Sequence, residues 1–220
     1  MKILLIGASS TIAQTYFNEY NSHHDFVRLS SNEEFSDASG FNIEDESTYL
    51  DVNEIDGLVY FPGTINLKPF KRLKLNNFKE DFAINVLGLV RILKFYESRL
   101  SDKSSLVFIS TVAAKLGMPF HSSVAISKSA VEGLAKSLAA EWAPNIRVNC
   151  IAPSLVETNM SKRFFRNEEQ KEVMNQKHPL QRTGLPEDIS NAIDFLITEK
   201  SSWVSGQILH VDGGMSSLKI

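Results

Sequence analysis

Ile3, Leu4, Leu5 and Ile6 form a wholly apolar run that stops at Gly7, then gives way to small polar residues and a helical pattern over residues 11–20. A continuous apolar run too short for a helix reads as a strand buried on both faces, the condition of a parallel sheet covered by helices. Runs of the same kind recur at 26–29, 57–61, 105–109, 146–151 and 207–211, separated by helical patterns at 77–100, 123–142 and 187–198. Strands alternating with helices predict an α/β chain. Its βαβ units would join into one doubly wound parallel sheet with helices on both faces.

Within 77–100, Phe82, Val86, Leu89, Leu93 and Tyr96 recur at spacings of three and four, which predicts one long helix with a single apolar face. Pro144 ends the helix that runs through Ala139, Ala140 and Trp142, and Pro186 with Glu187 and Asp188 opens another. No linker, repeat or low-complexity stretch divides the chain, so residues 1–220 read as one domain. The stretch 159–178 has mixed charge and no strand pattern, and reads as a lid over a site or a surface excursion.

With 43% hydrophobic and 22% charged residues, the chain can bury an ordinary core. A net charge of −3 with scattered lysine and arginine argues against a nucleic-acid partner. Cys150 is the single cysteine, which excludes disulfides and cysteine-built metal sites and makes a reducing, cytoplasmic setting the default. His23, His24, His178 and His210 show no ligand spacing, so no metal site is expected. The opening MKILLIG has no cleavage-site pattern and no later run approaches about 18 apolar residues, so neither a signal peptide nor a membrane partner is expected.

Open parallel sheets bind ligands outside the carboxyl ends of their strands, and the turn after the first strand offers phosphates the next helix's N-terminus. Here that turn is Gly7-Ala8-Ser9-Ser10-Thr11-Ile12-Ala13, which by itself is equally a serine-capped strand-to-helix turn. It resembles the GASSGIG turn of the short-chain dehydrogenase/reductase family, and further pieces of that pattern follow in order. Asn85 in NVLG is similar to the family's N-x-x-G. The stretch from LVFIST through SKSAVEGLAKSLAAEWAPNIRVNCIAPSLVETNM resembles the family's catalytic strand, helix and following loop. The tail PLQRTGLPEDISNAIDFLITEKSSWVSGQILHVDGG is similar to its carboxyl-terminal signature, so the resemblance spans residues 2–215.

The resemblance implies a Rossmann-like fold and an NAD(P)-dependent oxidoreductase acting on a small-molecule substrate. It also implies a homo-oligomer, a dimer or tetramer, built through the helices at 77–100 and 123–142. By the same resemblance Gly7, Ser9 and Ile12 would face the pyrophosphate and nearby ribose, and Asn42 and Ile43 the adenine. Gly63 would follow the family's fourth strand, and Ile151, Pro153, Val156 and Thr158 would surround the nicotinamide. Thr11 stands where the family has the glycine that lets backbone approach phosphate, and Tyr60-Phe61-Pro62-Gly63 keeps only the last residue of N-N-A-G. Ser30 and Ser31, with Arg28 upstream, occupy the position that selects between cofactors; with no acid there to repel a 2′-phosphate, NADP is favoured slightly over NAD.

Family members work with an asparagine, a serine, a tyrosine and a lysine four residues after the tyrosine. Asn85 and Lys128 match, Thr111 keeps a hydroxyl at the serine position, and Val124 replaces the tyrosine. His121 lies seven residues before Lys128, two helical turns, and the family's enoyl-acyl-carrier-protein reductases use such a spacing between tyrosine and lysine. The expectation is that His121 is the general acid/base, Thr111 polarises the substrate carbonyl and Lys128 holds the ribose. Plainer readings make His121 a loop residue, Ser122 and Ser123 helix caps, and Asn85 a buried polar anchor. A family member that has lost catalysis and serves as a dinucleotide-binding sensor or scaffold is the alternative function. The two separate on whether His121 or Val124 faces the site. Met118, Phe120, Met160, Phe164 and Phe165 suggest an apolar substrate site, and Arg163 and Arg166 an acidic or acyl-carrier substrate.

Overall fold

The computed structural model describes residues 1–219. The apolar runs become β1 (Lys2–Ile6), β2 (Asp25–Leu29), β3 (Ile55–Tyr60), β4 (Leu100–Ile109), β5 (Arg147–Pro153) and β6 (Ile208–Val211). They form one sheet in the order β2-β1-β3-β4-β5-β6. Every neighbouring pair is parallel. Alternation along each strand splits the core in two. Leu4, Ile6, Leu58, Leu106, Phe108 and Val148 pack against Leu89, Ile92, Val131 and Ala135 on one face. Ile3, Leu5, Val59, Val107 and Ile151 pack against Ala13, Tyr16, Ile189 and Ile193 on the other. The helices carrying these residues are α1 (Thr11–Tyr20) and α6 (Pro186–Ile197) on the second face, with α4 (Ser122–Glu141) and the middle of the chain on the first. β1 and the later halves of β3 and β4 are therefore almost wholly apolar, because both of their faces are covered.

The expected long helix at 77–100 is instead three segments. α2 (Leu75–Phe82) passes into a wider π-turn (Ala83–Gly88) and then α3 (Leu89–Tyr96), and Leu100 already opens β4. The Tyr60 hydroxyl donates to the Ile84 carbonyl at 2.5 Å, taking an acceptor that the helical ladder would use. A Cβ at Gly88 would lie 2.6 Å from that hydroxyl oxygen, so only glycine admits the insertion. A side chain entering the ladder is a regular cause of such widening.

The sheet also differs from the common doubly wound order 3-2-1-4-5-6, which carries one more strand outside the second. Between β2 and β3 the chain makes two short 3₁₀ turns, Glu33–Phe35 and Glu46–Thr48, and an isolated bridge between Asn42 and Asp45. Gly63 thus follows the third strand of this sheet rather than a fourth. The 159–178 stretch holds a 3₁₀ turn (Asn159–Phe164) and a short helix, α5 (Glu168–Asn175). Among the described residues no helix is long and apolar enough to cross a membrane.

The topological switch lies between β1 and β3, because the chain leaves β1 for β2 on one side and returns to β3 on the other. Close packing under β3 depends on Gly57, where an added Cβ would sit 2.8 Å from Ile197 Cγ1. Gly57→Ala is expected to lose about 1–3 kcal/mol through overpacking, lowering Tm by about 2–4 °C per kcal/mol in a chain of this size. A smaller loss from Gly57→Ala in an Ile197→Ala background than in the wild type, read by thermal melts, would tie the loss to that contact.

Candidate active site

A cavity of about 330 Å³ opens at the carboxyl ends of β1, β3, β4 and β5. Its wall takes Ser9, Ser10, Thr11 and Ile12 from the β1–α1 turn, Gly63, Thr64 and Ile65 after β3, and Ser110 and Thr111 after β4. α4 contributes Val124 and Lys128, the loop after β5 contributes Pro153, Ser154, Val156 and Thr158, and Met160, Arg163 and Phe164 close it from above. Most of the exposed wall is apolar, as small-molecule sites are.

Of the residues expected here, Ser9, Thr11, Ile12, Gly63, Thr111, Lys128, Pro153, Val156 and Thr158 line the cavity. Gly7 stands just behind it with φ of +80°, and a Cβ there would lie 2.9 Å from the Pro62 ring. Ser10 caps α1 by accepting from the Ala13 amide at 3.1 Å, so the helix N-terminus faces the void. Thr11 Oγ1 accepts from the Asn159 amide at 3.3 Å, joining the turn to the segment above it. Ser30 is buried and accepts from the Asn32 amide. Asn42 is occupied with Glu44 and Thr48, and Ile43 packs on the core beside Gly88. Ser30, Asn42 and Ile43 are not part of the wall. Among the suggested substrate contacts, Met160, Phe164 and Arg163 line the cavity, whereas Met118, Phe120, Phe165 and Arg166 do not.

Lys128 is only 6% exposed, and its Nζ donates to the Ile109 carbonyl at 2.8 Å. It forms no ion pair among the described residues. Loss of water pulls its ammonium down to about 8, against the opposing pull of Cys150 and Asp81. Asn85 is fully buried behind Gly63. Its Oδ1 accepts from the Thr64 amide at 2.9 Å and its Nδ2 donates to Ser127 Oγ at 2.8 Å. It serves as the polar anchor of the wall rather than a part of its surface.

His121 does not line the cavity, and Val124, 3% exposed, does. A seven-residue spacing brings two side chains to one face only where both ends are helical, yet α4 begins at Ser122 and His121 is its non-helical cap (φ −100°, ψ 8°). Its Nδ1 lies 2.8 Å from the Pro119 carbonyl, so the ring leans back along its own loop.

Three polar clusters escape sequence reading. Asp81 is fully buried; its Oδ1 accepts from Thr64 Oγ1 at 2.6 Å and Asn66 Nδ2 at 2.8 Å, and its Oδ2 from Ser123 Oγ at 2.6 Å. Ser110 Oγ donates to Glu132 at 2.7 Å. His178, also buried, has Nδ1 2.9 Å from the Met174 carbonyl, which leaves Nε2 to accept from Ser154 Oγ at 2.8 Å. The one signal for Asp81 was an acid four residues before Asn85, one helical turn away.

The sequence pattern of the family described as enoyl-(acyl carrier protein) reductase matches residues 45–216. This chain belongs to the short-chain dehydrogenase/reductase family. It is 30% identical to the 3-oxoacyl-[acyl-carrier-protein] reductase FabG of Aquifex aeolicus over 220 residues, 97% of this chain and 86% of that protein. A chloroplastic tropinone reductase homolog of Arabidopsis thaliana is 36% identical over 162 residues, 72% of this chain but only 50% of the plant protein. The chain thus spans about half the length of that relative, and 55% of the FabG of Rickettsia felis. In fold, this short-chain dehydrogenase/reductase superposes on gluconate 5-dehydrogenase from Burkholderia cenocepacia, solved with NADP and tartrate, with a TM-score of 0.88 at 23% identity, covering 99% and 96% of the two chains.

The depressed Lys128 ammonium makes stability depend on pH. The folded state resists protonation, so the penalty is full below about pH 8 and fades as pH rises toward 10.5, where the unfolded chain also loses its proton. Relative to Lys128→Met, the wild type is expected to gain on the order of 3 kcal/mol across that window. Urea unfolding at several pH values checks it, and a gap that stays constant from pH 7 to 10.5 would refute the assignment.

Proposed function

We propose that this chain is an NAD(P)-dependent oxidoreductase that moves hydride between a nicotinamide ring and a carbonyl or alcohol carbon. The observation that carries the reading is the convergence of the α1 N-terminus, Thr111 and Lys128 on one cavity at the switch point of the sheet. The residues present fit a dinucleotide. Lys128 has three donors with one engaged by Ile109, and a Cβ at Gly63 would come within 3.3 Å of Nζ, so the backbone there must stay bare. Lys128 would hold the nicotinamide ribose, the Ser9–Ile12 amides the pyrophosphate, and Pro153, Val156 and Thr158 the ring. The cofactor supplies the hydride chemistry; the protein orients and manages the proton.

The expected lean toward NADP meets an acidic turn. Glu33 and Glu34 follow the serines after Asn32, and the nearby Arg28 is tied to Asp37 at 2.6 Å and stacked on Phe17. A 2′-phosphate would find no uncommitted cation in that turn, so NAD is the better fit. The apolar side chains of Phe82, Leu87 and Ile126, exposed on the helical face, support the expected homo-oligomer, with a homotetramer the reading for light scattering to check.

Val124 in the wall supports a second reading, a dinucleotide-binding sensor or scaffold without turnover. For His121 to act as acid/base its ring must leave the Pro119 carbonyl and turn inward, and the wall favours undiminished turnover in His121→Ala. The test is thermal unfolding with NADH, NADPH or neither, followed by turnover of carbonyls and alcohols. Ligand at about a hundred times Kd adds roughly 2.7 kcal/mol, or roughly 5–10 °C, and the larger shift is expected with NADH. A shift with no turnover of any substrate selects the sensor, and no shift with either nucleotide removes both readings.

A further inference from the structure

The family's phenol is missing at Val124, yet a proton-accepting group stands one hydroxyl behind the cavity wall. Asp81 is a fully buried carboxylate that receives three neutral donors, Thr64 and Asn66 on one oxygen and Ser123 on the other. Two hydroxyls and an amide thus converge on one carboxyl group, which has acceptor sites for all three. Thr64 alone among them also lines the cavity. Its backbone is held by Asn85, whose Oδ1 accepts the Thr64 amide at 2.9 Å, so the hydroxyl is fixed between void and carboxylate. Ser123 brings the same network to the residue beside Val124. The other hydroxyl–carboxylate pair of the wall, Ser110 with Glu132, is less accessible: Ser110 is 4% exposed, while Thr64 is half-buried.

We propose that Thr64 and Asp81 form a proton relay serving the reacting oxygen in this cavity, a proposal that rests on the oxidoreductase reading above. In alcohol oxidation the substrate O–H bond breaks and its proton passes to Thr64 Oγ1, while the proton of Thr64 passes to the Asp81 carboxylate; once product leaves, Asp81 hands the proton back through Thr64 to water entering the cavity, which resets the relay. The C–H bond breaks with its electron pair going as hydride to an oxidised nicotinamide dinucleotide, which is reduced, and the alcohol carbon becomes a carbonyl. Reduction runs the same transfers backwards. Thr64 is the residue that touches substrate, and Asp81 acts through it.

The experiment oxidises a panel of alcohols with NAD⁺ and NADP⁺: a 3-hydroxybutyryl thioester, an aldohexose, gluconate and tropine. Wild type is compared with Thr64→Val, Thr64→Ser and Asp81→Asn. Thr64→Val keeps the side-chain shape and loses only the hydroxyl, and it is expected to lower kcat by about 10²-fold or more with the dinucleotide KM unchanged. Thr64→Ser should restore kcat and the normal solvent deuterium effect, which Thr64→Val loses. Should Asp81→Asn fail to fold, the Thr64 pair alone decides the matter. Wild-type kcat in Thr64→Val, or equal losses in the Ser and Val variants with lowered Tm, overturns the relay and leaves the oxidoreductase reading standing. A wild type that gains stability with dinucleotide but oxidises nothing overturns both.

Discussion

A carboxylate with no access to water must be satisfied by the protein, and around Asp81 that requirement organises the floor of the cavity. Burying an ionised group without partners costs many kcal/mol, whereas each hydrogen bond to a charge returns about 1.5–3 kcal/mol. The three donors come from two parts of the chain far apart in sequence, the loop after β3 and the first turn of α4. Once Asp81 is placed on α2, Thr64 and Ser123 follow, and Ser123 in turn fixes where α4 starts and which way Val124 and Lys128 point. Lys128 benefits as well, since the Asp81 charge opposes the desolvation that drains its proton affinity.

The π-turn is the second consequence of the same geometry. Tyr60 stands where relatives of this family carry a small amide, and its hydroxyl needs an acceptor once buried. It finds the Ile84 carbonyl, widening the helix one residue before Asn85. Asn85 then reaches both Thr64 and Ser127, so the departure at Tyr60 and the retained asparagine are coupled through one turn of helix rather than independent changes.

What was legible in the chain follows from where the information lies. Strands buried on both faces announce themselves as short apolar runs, and the order of runs and helical patterns sufficed for the sheet. The helix at 77–100 was misread because its interruption comes from Tyr60, a contact across 24 residues that local periodicity does not contain. That the β1–α1 turn and Lys128 line one cavity was readable because each position is local to a turn or to one helix. Asp81 was not, since an acid on a partly polar helix reads as solvated until the packing of α4 removes the water. His121 stands at a helix boundary, where a single residue decides whether a two-turn spacing to Lys128 applies, and that boundary is set by tertiary packing rather than by local periodicity.

The segment above the cavity is held unequally at its two ends. At its far end His178 is buried with both ring nitrogens engaged, and Glu157 binds Lys171 at 2.9 Å and Thr183 at 2.9 Å. At its near end the tie to the β1–α1 turn is a single exposed bond, Asn159 amide to Thr11 Oγ1, at 3.3 Å. Water competes with an exposed bond, so this tie holds the segment less firmly than the buried contacts around His178. Thr11 stands in place of a glycine that would let backbone approach phosphate most closely. The Thr11 hydroxyl therefore ties the β1–α1 turn to the segment above the cavity, a contact that a glycine at this position could not make.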